Sequence, residues 1–390
     1  MLAIGLADCM ADFNYEMVLA VLPLFLTAGL GAPAFTVGLV EGVADGASAV
    51  VRVWSGWFSD RIAWRKRLAV AGYSATVVGL GALGLLFAWP LVVVARGAAW
   101  LGRGLRQPIR SSMLAGSVDR AHFGKAFGLH EALDTLGALL GPATAFVLLQ
   151  TGHDFRTVFW VAILPGLFAV AFFALLTRDP RPPDAQPEPI RARSLPAPFW
   201  RLLVPVAVFG AGNFAPAFFT LRAAEMLQPG LPPALALTGA VLFYLGHQAV
   251  GAAVSFPAGW LADRVGRVPI LALAYLSFGV ACATAAWGHG VLAVVLLAIP
   301  VGIQAPLVVA MESSLVSSLV PERVSGTAFG VLAGVNGAGD LVSSVSVGVL
   351  WSTVGAPVAL ALGAVLALAA TALLLARRGK LSPASAGAAG

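Results

Sequence analysis

Gly56-Trp57-Phe58-Ser59-Asp60-Arg61 recurs as Gly259-Trp260-Leu261-Ala262-Asp263-Arg264, and Gly124-Lys125-Ala126-Phe127-Gly128 recurs at nearly the same offset as Gly326-Thr327-Ala328-Phe329-Gly330. Two matches in register, half a chain apart, predict one design used twice. The sequence around both copies is apolar. Of 390 residues, 59% are hydrophobic and 11% charged, with a mean hydropathy of +0.89. Charged residues make up about a quarter of an ordinary soluble chain, so this composition excludes one and makes the bilayer the solvent. At roughly 20 apolar residues per crossing, the length holds about twelve spans and leaves no room for a sizeable soluble enzyme domain.

Apolar windows and their punctuation place spans at about 3–28, 36–58, 67–89, 91–112, 122–150, 155–177, 200–226, 234–258, 268–288, 290–318, 324–350 and 355–376. The loops between them alternate in charge. Arg61, Arg65, Lys66 and Arg67 follow the second span, Arg120 and Lys125 the fourth, and Arg178, Arg181, Arg191, Arg193 and Arg201 the sixth. Arg264, Arg267, Arg323, Arg377, Arg378 and Lys380 continue that side, whereas the intervening loops carry no Lys or Arg. The positive-inside rule makes the basic side cytoplasmic, with both termini on it, in an inner (plasma) membrane. No cleavable leader is apparent, and a start upstream of Met1 stays open.

These positions divide the chain into a first six-helix bundle over 1–177, a cytoplasmic linker over 178–199, a second six-helix bundle over 200–378 and a disordered cytoplasmic tail over 379–390. The linker reads as irregular from its Pro182-Pro183 and Pro187-Glu188-Pro189. The expected fold class is an all-α membrane protein of twelve transmembrane helices in two pseudo-symmetric bundles. The formal charge of +6 is spread over short loops, which argues against a nucleic-acid partner. Cys9 and Cys282 stand far apart in apolar segments, so neither a disulfide framework nor a thiolate metal site is expected.

Gly56, Asp60, Arg61, Arg65 and Lys66 resemble the signature loop of the major facilitator superfamily of secondary transporters, of pattern G-x-x-x-D-R-x-G-R-R/K. Ala63 replaces its second glycine. The second copy is cleaner, with Gly259, Asp263, Arg264, Gly266 and Arg267. The resemblance covers essentially all twelve spans. It implies alternating access, a small-molecule substrate, a monomer, and loops that latch the cytoplasmic side between conformations. Turn capping by the aspartates and topology anchoring by the arginines would leave the same residues. Gly137, Gly141 and Pro142 on the fifth span are similar to the family's G-x-x-x-G-P element associated with antiport, though its trailing glycines are absent. As plain chemistry, small residues four apart allow a close helix crossing. Arg96 and Arg103 on the fourth span resemble a further family motif with an intramembrane arginine.

The charges inside the spans carry the functional expectation, because an ionisable group in hydrocarbon costs a few kcal/mol or more and faces a cavity or a partner. Asp8, Asp12 and Glu16 form one stripe at four-residue spacing, Glu41 and Asp45 repeat that spacing on the second span with Arg52 beyond, and His130, Glu131 and Asp134 lie on the fifth. In the second half, Tyr244 and Gln248 stand where the first has Glu41 and Asp45, and Asn336 where it has Asp134. The pattern predicts a titratable first half and a neutral, hydrogen-bonding second half. A central cavity would be lined by Asp12, Glu16, Glu41, Asp45, Arg52, Arg96, Arg103, His130, Glu131, Asp134, Asn213, Tyr244, Gln248 and Asn336, and static ion pairs would use the same charges.

The expected function is proton-coupled export of a small organic cationic or amphipathic compound, driven by the proton gradient with no cofactor and no resident metal. A divalent-metal exporter using Asp8, Asp12 and Asp134, an uptake symporter, a lipid translocator and a membrane sensor are the alternatives. The chain carries no H-E-x-x-H, G-x-S-x-G or P-loop, so neither an enzyme nor ATP as energy source is expected.

Overall fold

A computed structural model describes residues 2–59, 65–115, 123–177, 195–321 and 324–381. Residues 178–194 of the expected 178–199 linker and 382–390 of the expected 379–390 tail lie outside the described residues, as do Asp60, Arg61, Arg120 and Arg323, whereas α8 begins within the expected linker at Ala197 and a 3-10 turn covers Arg378–Lys380. The described chain is helical, with no strand among the described residues. Its helices are α1 (Leu2–Leu19), α2 (Leu22–Leu24), α3 (Phe35–Ser59), α4 (Arg65–Ala82), α5 (Trp89–Ala115), α6 (Phe123–Gln150), α7 (Phe155–Leu176), α8 (Ala197–Gly210), α9 (Ala217–Leu227), α10 (Pro233–Val265), α11 (Arg267–Trp287), α12 (Gly290–Leu319), α13 (Ser325–Thr353) and α14 (Ala356–Ala376).

Nine segments of the described residues are long and apolar enough to cross a membrane. The other long stretches are α3, which carries Glu41, Asp45 and Arg52, α5, which carries Arg96, Arg103, Arg106 and Arg110, and the broken pair α8 and α9. Together they make the twelve-helix fold class expected from the sequence. Two compact units form: Met1–Pro187 with Leu237–Leu245, and Glu188–Ala236 with Gly246–Gly390. In the first, α1 packs against α6 and α7, and α5 against α3 and α4. In the second, α11 packs against α12 and α14, and α8 against α13 and α14.

Two spans differ from the uninterrupted helices expected at 3–28 and 200–226. The first breaks after Leu19, resumes as α2 at Leu22, and widens into a π turn over Phe25–Gly29 closed by Leu30 N donating to Phe25 O at 2.8 Å. The seventh breaks across Ala211–Pro216, where glycines at 210 and 212 weaken the helix and Pro216 has no N–H to continue it. In hydrocarbon, the backbone groups freed by such a break need partners inside the protein. They find them: Ser344 Oγ accepts from Ala215 N at 3.1 Å, and Ser343 Oγ donates to Asn213 O at 3.0 Å. Outside the spans, Asp154 caps α7, accepting from Thr157 N at 2.9 Å and Thr157 Oγ1 at 2.7 Å. Those bonds hold its carboxyl below the usual carboxylate range.

Close helix crossings use glycine. A Cβ on Gly137 of α6 would run into the Cys9 carbonyl of α1, and one on Gly141 would stand 2.6 Å from Met17 N. Pro142, the next residue, is buried within α6. Gly137→Ala should therefore lower the thermal unfolding midpoint of the purified protein, at an overpacking cost of about 1–3 kcal/mol. Gly97→Ala, whose new Cβ would meet nothing within 4 Å, should leave it unchanged or slightly raised. Equal midpoints for the two variants would show that α1 and α6 do not meet closely at Gly137.

Candidate functional site

In the first unit the charged residues of four helices converge. On α1, Asp8, Asp12 and Glu16 recur every four residues and so share a face. On α5, Arg96, Trp100, Arg103, Arg106 and Arg110 follow the three-to-four spacing of one helix face. These two faces, with Glu41 and Asp45 from α3 and His130 and Asp134 from α6, hold the buried network.

Its first cluster centres on Asp8, which is fully buried. Tyr73 donates its hydroxyl to Asp8 Oδ1 at 2.5 Å, Arg110 Nη1 stands 2.9 Å from the same oxygen, and Arg106 Nη1 3.6 Å. His130 Nδ1 lies 3.6 Å from Asp8 Oδ2. The Arg106 guanidinium also lies 4.3 Å from the Tyr73 ring centroid. Asp8, His130 and Asp134 each place one potential donor atom within 4.8 Å of the others. Two guanidiniums already neutralise Asp8, so this trio is a poor fit for a resident divalent cation. Asp134 Oδ1 is buried with no hydrogen-bond partner among the described residues.

The second cluster is built on Trp100. Arg96 pairs with Glu41 at 2.8 Å with both side chains buried, and its guanidinium sits 3.1 Å from the Trp100 ring centroid. Trp100 donates its indole N–H to Asp45 Oδ1 at 2.8 Å. The Arg103 guanidinium stands 4.4 Å from the Tyr15 ring and 5.0 Å from the Trp100 ring, and its Nη2 donates to the Tyr15 hydroxyl at 3.1 Å. Tyr15 and Trp100 meet edge to face at 5.8 Å. From the Leu237–Leu245 segment of this unit, Tyr244 donates to Glu16 Oε2 at 2.7 Å. The network thus joins Asp12, Glu16, Glu41, Asp45, Arg96, Arg103, His130 and Asp134, while Arg52 is exposed.

The second unit holds different chemistry. Gln304 donates to Asn213 Oδ1 in the α8 to α9 break at 3.0 Å. Asn336 Nδ2 donates to Glu312 Oε2 at 2.8 Å, and Tyr275 donates to Glu312 Oε1 at 2.9 Å. Gln248 is half-buried on α10. Glu312 and Tyr275 escaped the sequence-based candidate set, as did Tyr73, Arg106 and Arg110. A lone acid in thirty residues of α12 was the available signal for Glu312.

Of the motif residues, Arg264 is exposed and stacks over Trp260 at 3.7 Å, and half-buried Arg267 opens α11. Asp60 and Arg61 lie outside the described residues, and so do the side-chain surroundings of Gly56, Arg65, Glu131, Gly259 and Asp263.

The Major Facilitator Superfamily model matches residues 4–247 and 230–390. An uncharacterized MFS-type transporter of Methanocaldococcus jannaschii is 27% identical over 374 residues, which cover 95% of this chain and 93% of that protein. An uncharacterized protein of Mycobacterium tuberculosis is 30% identical over 375 residues, covering 89% and 85% respectively. Among solved structures, a nucleoside transporter is similar at a TM-score of 0.80 over 96% of this chain and 98% of its own, at 12% identity.

The Arg96–Glu41 pair yields a test by double substitution. Arg96→Met alone strands a buried carboxylate, at a cost of about 3–5 kcal/mol. Adding Glu41→Gln removes the stranded charge, so the double variant should unfold at a higher temperature than Arg96→Met. A double variant that loses the sum of the two single effects would show that the two side chains are not coupled.

Proposed function

Because the chain belongs to the Major Facilitator Superfamily, and is thereby a multi-pass membrane protein and a secondary transporter of some solute, we propose that it exports an organic cation in exchange for protons. The proposal places it in the inner (plasma) membrane, with both termini cytoplasmic, as a monomer drawing on the proton gradient.

The observation that carries the coupling is the excess of carboxyl groups in the buried network, Asp8, Asp12, Glu16 and Glu41 among them, over the guanidiniums that face them. A carboxylate in hydrocarbon without a counter-charge of its own is costly, and either a proton or a bound cation removes that cost. Cargo and proton then compete for the same carboxyl groups, which is the thermodynamic core of antiport.

Charge and aromatic surface support a cationic cargo. Asp8, Asp12, Glu16, Glu41, Asp45 and Asp134 outnumber Arg96, Arg103, Arg106 and Arg110 in the same network. Tyr15 and Trp100 already hold a cation against their faces in the form of the Arg103 guanidinium. An organic cation would meet the same aromatic faces and carboxylates, with Arg103 moving aside.

The test is proton movement in liposomes that hold the purified protein and a trapped pH-sensitive dye. Addition of organic cations should evoke proton flux in the wild type, and Asp134→Asn should reduce it to the level of empty liposomes. Flux evoked only by divalent metals would favour the metal-exporter alternative. If cations bind yet none of a broad panel evokes flux in the wild type, proton-coupled cation export fails.

A further inference from the structure

Glu312 is the sole acidic or basic residue of α12, and it is 2% exposed. Its carboxylate has two partners, the Tyr275 hydroxyl at 2.9 Å and the Asn336 amide at 2.8 Å, and both are uncharged. In the first unit guanidiniums stand on Asp8 and Glu41, while Tyr244 and Trp100 donate to Glu16 and Asp45 within the same charged network.

Charged and titratable groups do stand on the helices packed around α12. They are Arg267 and Cys282 on α11, Arg222 and Glu225 on α9, Asp340 on α13, Arg201 on α8, and Tyr244, His247 and Arg264 on α10. Among the described residues, none of them forms an ion pair or hydrogen bond with Glu312. Arg222 and Glu225 pair with each other at 3.0 Å. An ionised carboxylate buried in hydrocarbon with no counter-charge is costly, and proton uptake relieves that cost.

The two partners suit a group that changes its protonation. A guanidinium can only donate, so protonating its carboxylate partner breaks the pair. A phenol hydroxyl and a primary amide each donate and accept. When Glu312 takes one proton from water, the new carboxylic O–H donates to the amide oxygen of Asn336 once that amide turns over. Tyr275 goes on donating to the other carboxyl oxygen, and release of the proton reverses the change. Asn336 is half-buried where Glu312 and Tyr275 are buried, so the Asn336 side is the more open side of the carboxyl. Phe209 stacks on the Tyr275 ring at 3.9 Å and 12°, which fixes the ring and leaves the hydroxyl torsion free.

We infer that Glu312 is a reversible proton-binding site of the second unit, separate from the acidic network of the first. Its part in transport rests on the chain being proton-coupled, whereas its titration does not.

Infrared difference spectroscopy of the purified full-length protein in lipid, followed through a pH titration, reads the protonated carboxyl directly. The wild type should show a titrating carboxyl band that Glu312→Gln removes and Asp134→Asn leaves in place. Tyr275→Phe, which keeps the carboxyl, should move that band's midpoint by about one pH unit, the scale of one lost hydrogen bond of about 1.4 kcal/mol. A full set of bands in Glu312→Gln overturns the proposal. If that variant does not fold, an unmoved midpoint in Tyr275→Phe overturns it instead. These readouts need no cargo, so failure of cation-evoked flux in liposomes would count against export and leave this site standing.

Discussion

Hydrocarbon offers no partner to a charge or a backbone polar group, so each one inside the bilayer must be satisfied by the protein itself. The two units meet this constraint with different chemistry. In the first, guanidiniums on one face of α5 sit against carboxylates of α1 and α3, and aromatic rings fill the spaces between charges. In the second, serine, asparagine, glutamine and tyrosine close the α8 to α9 break and the Glu312 carboxyl with neutral bonds. Buried charge is concentrated where opposite charge is at hand, and backbone irregularity where short hydroxyl side chains can reach it.

Trp100 shows why α5 organises the first unit. Its ring faces the Arg96 guanidinium and meets the Tyr15 ring edge to face, and its indole N–H holds Asp45. Arg96 in turn holds Glu41, and Arg103 reaches both Trp100 and Tyr15. A shift of α5 by one residue would turn this face by about 100° and break every one of those contacts together. A network of this kind has discrete arrangements, not a continuum, and that is what a protein with distinct conformations requires.

Much of this was legible from residue order because membrane insertion depends on local composition. Apolar windows placed the long helices to within a few residues at each end, α4 and α10 excepted, and charge spacing on α1 and α3 put Asp12, Glu16, Glu41 and Asp45 on the faces that hold the network. The departures have physical causes. The break at Ala211–Pro216 is hidden in a window that stays apolar throughout, and it depends on Ser343 and Ser344 more than a hundred residues on. Arg52 matches the spacing of α3 yet is exposed. Pairing of Tyr275 with Glu312 and Tyr73 with Asp8 spans different helices, so no periodicity within one helix announces it.

The contrast between the two carboxyl environments also bears on how protonation spreads. Asp8 faces Arg106, Arg110, Tyr73 and His130. Its ion pairs therefore tie α1 to α5 and α6 together, and the cost of losing one of them falls on several helices. A proton added to Glu312 turns one amide and one hydroxyl and disturbs no charge pair. Charge balance around Asp8 and Glu41 is therefore shared among several helices, whereas the Glu312 carboxyl is closed by two neutral partners.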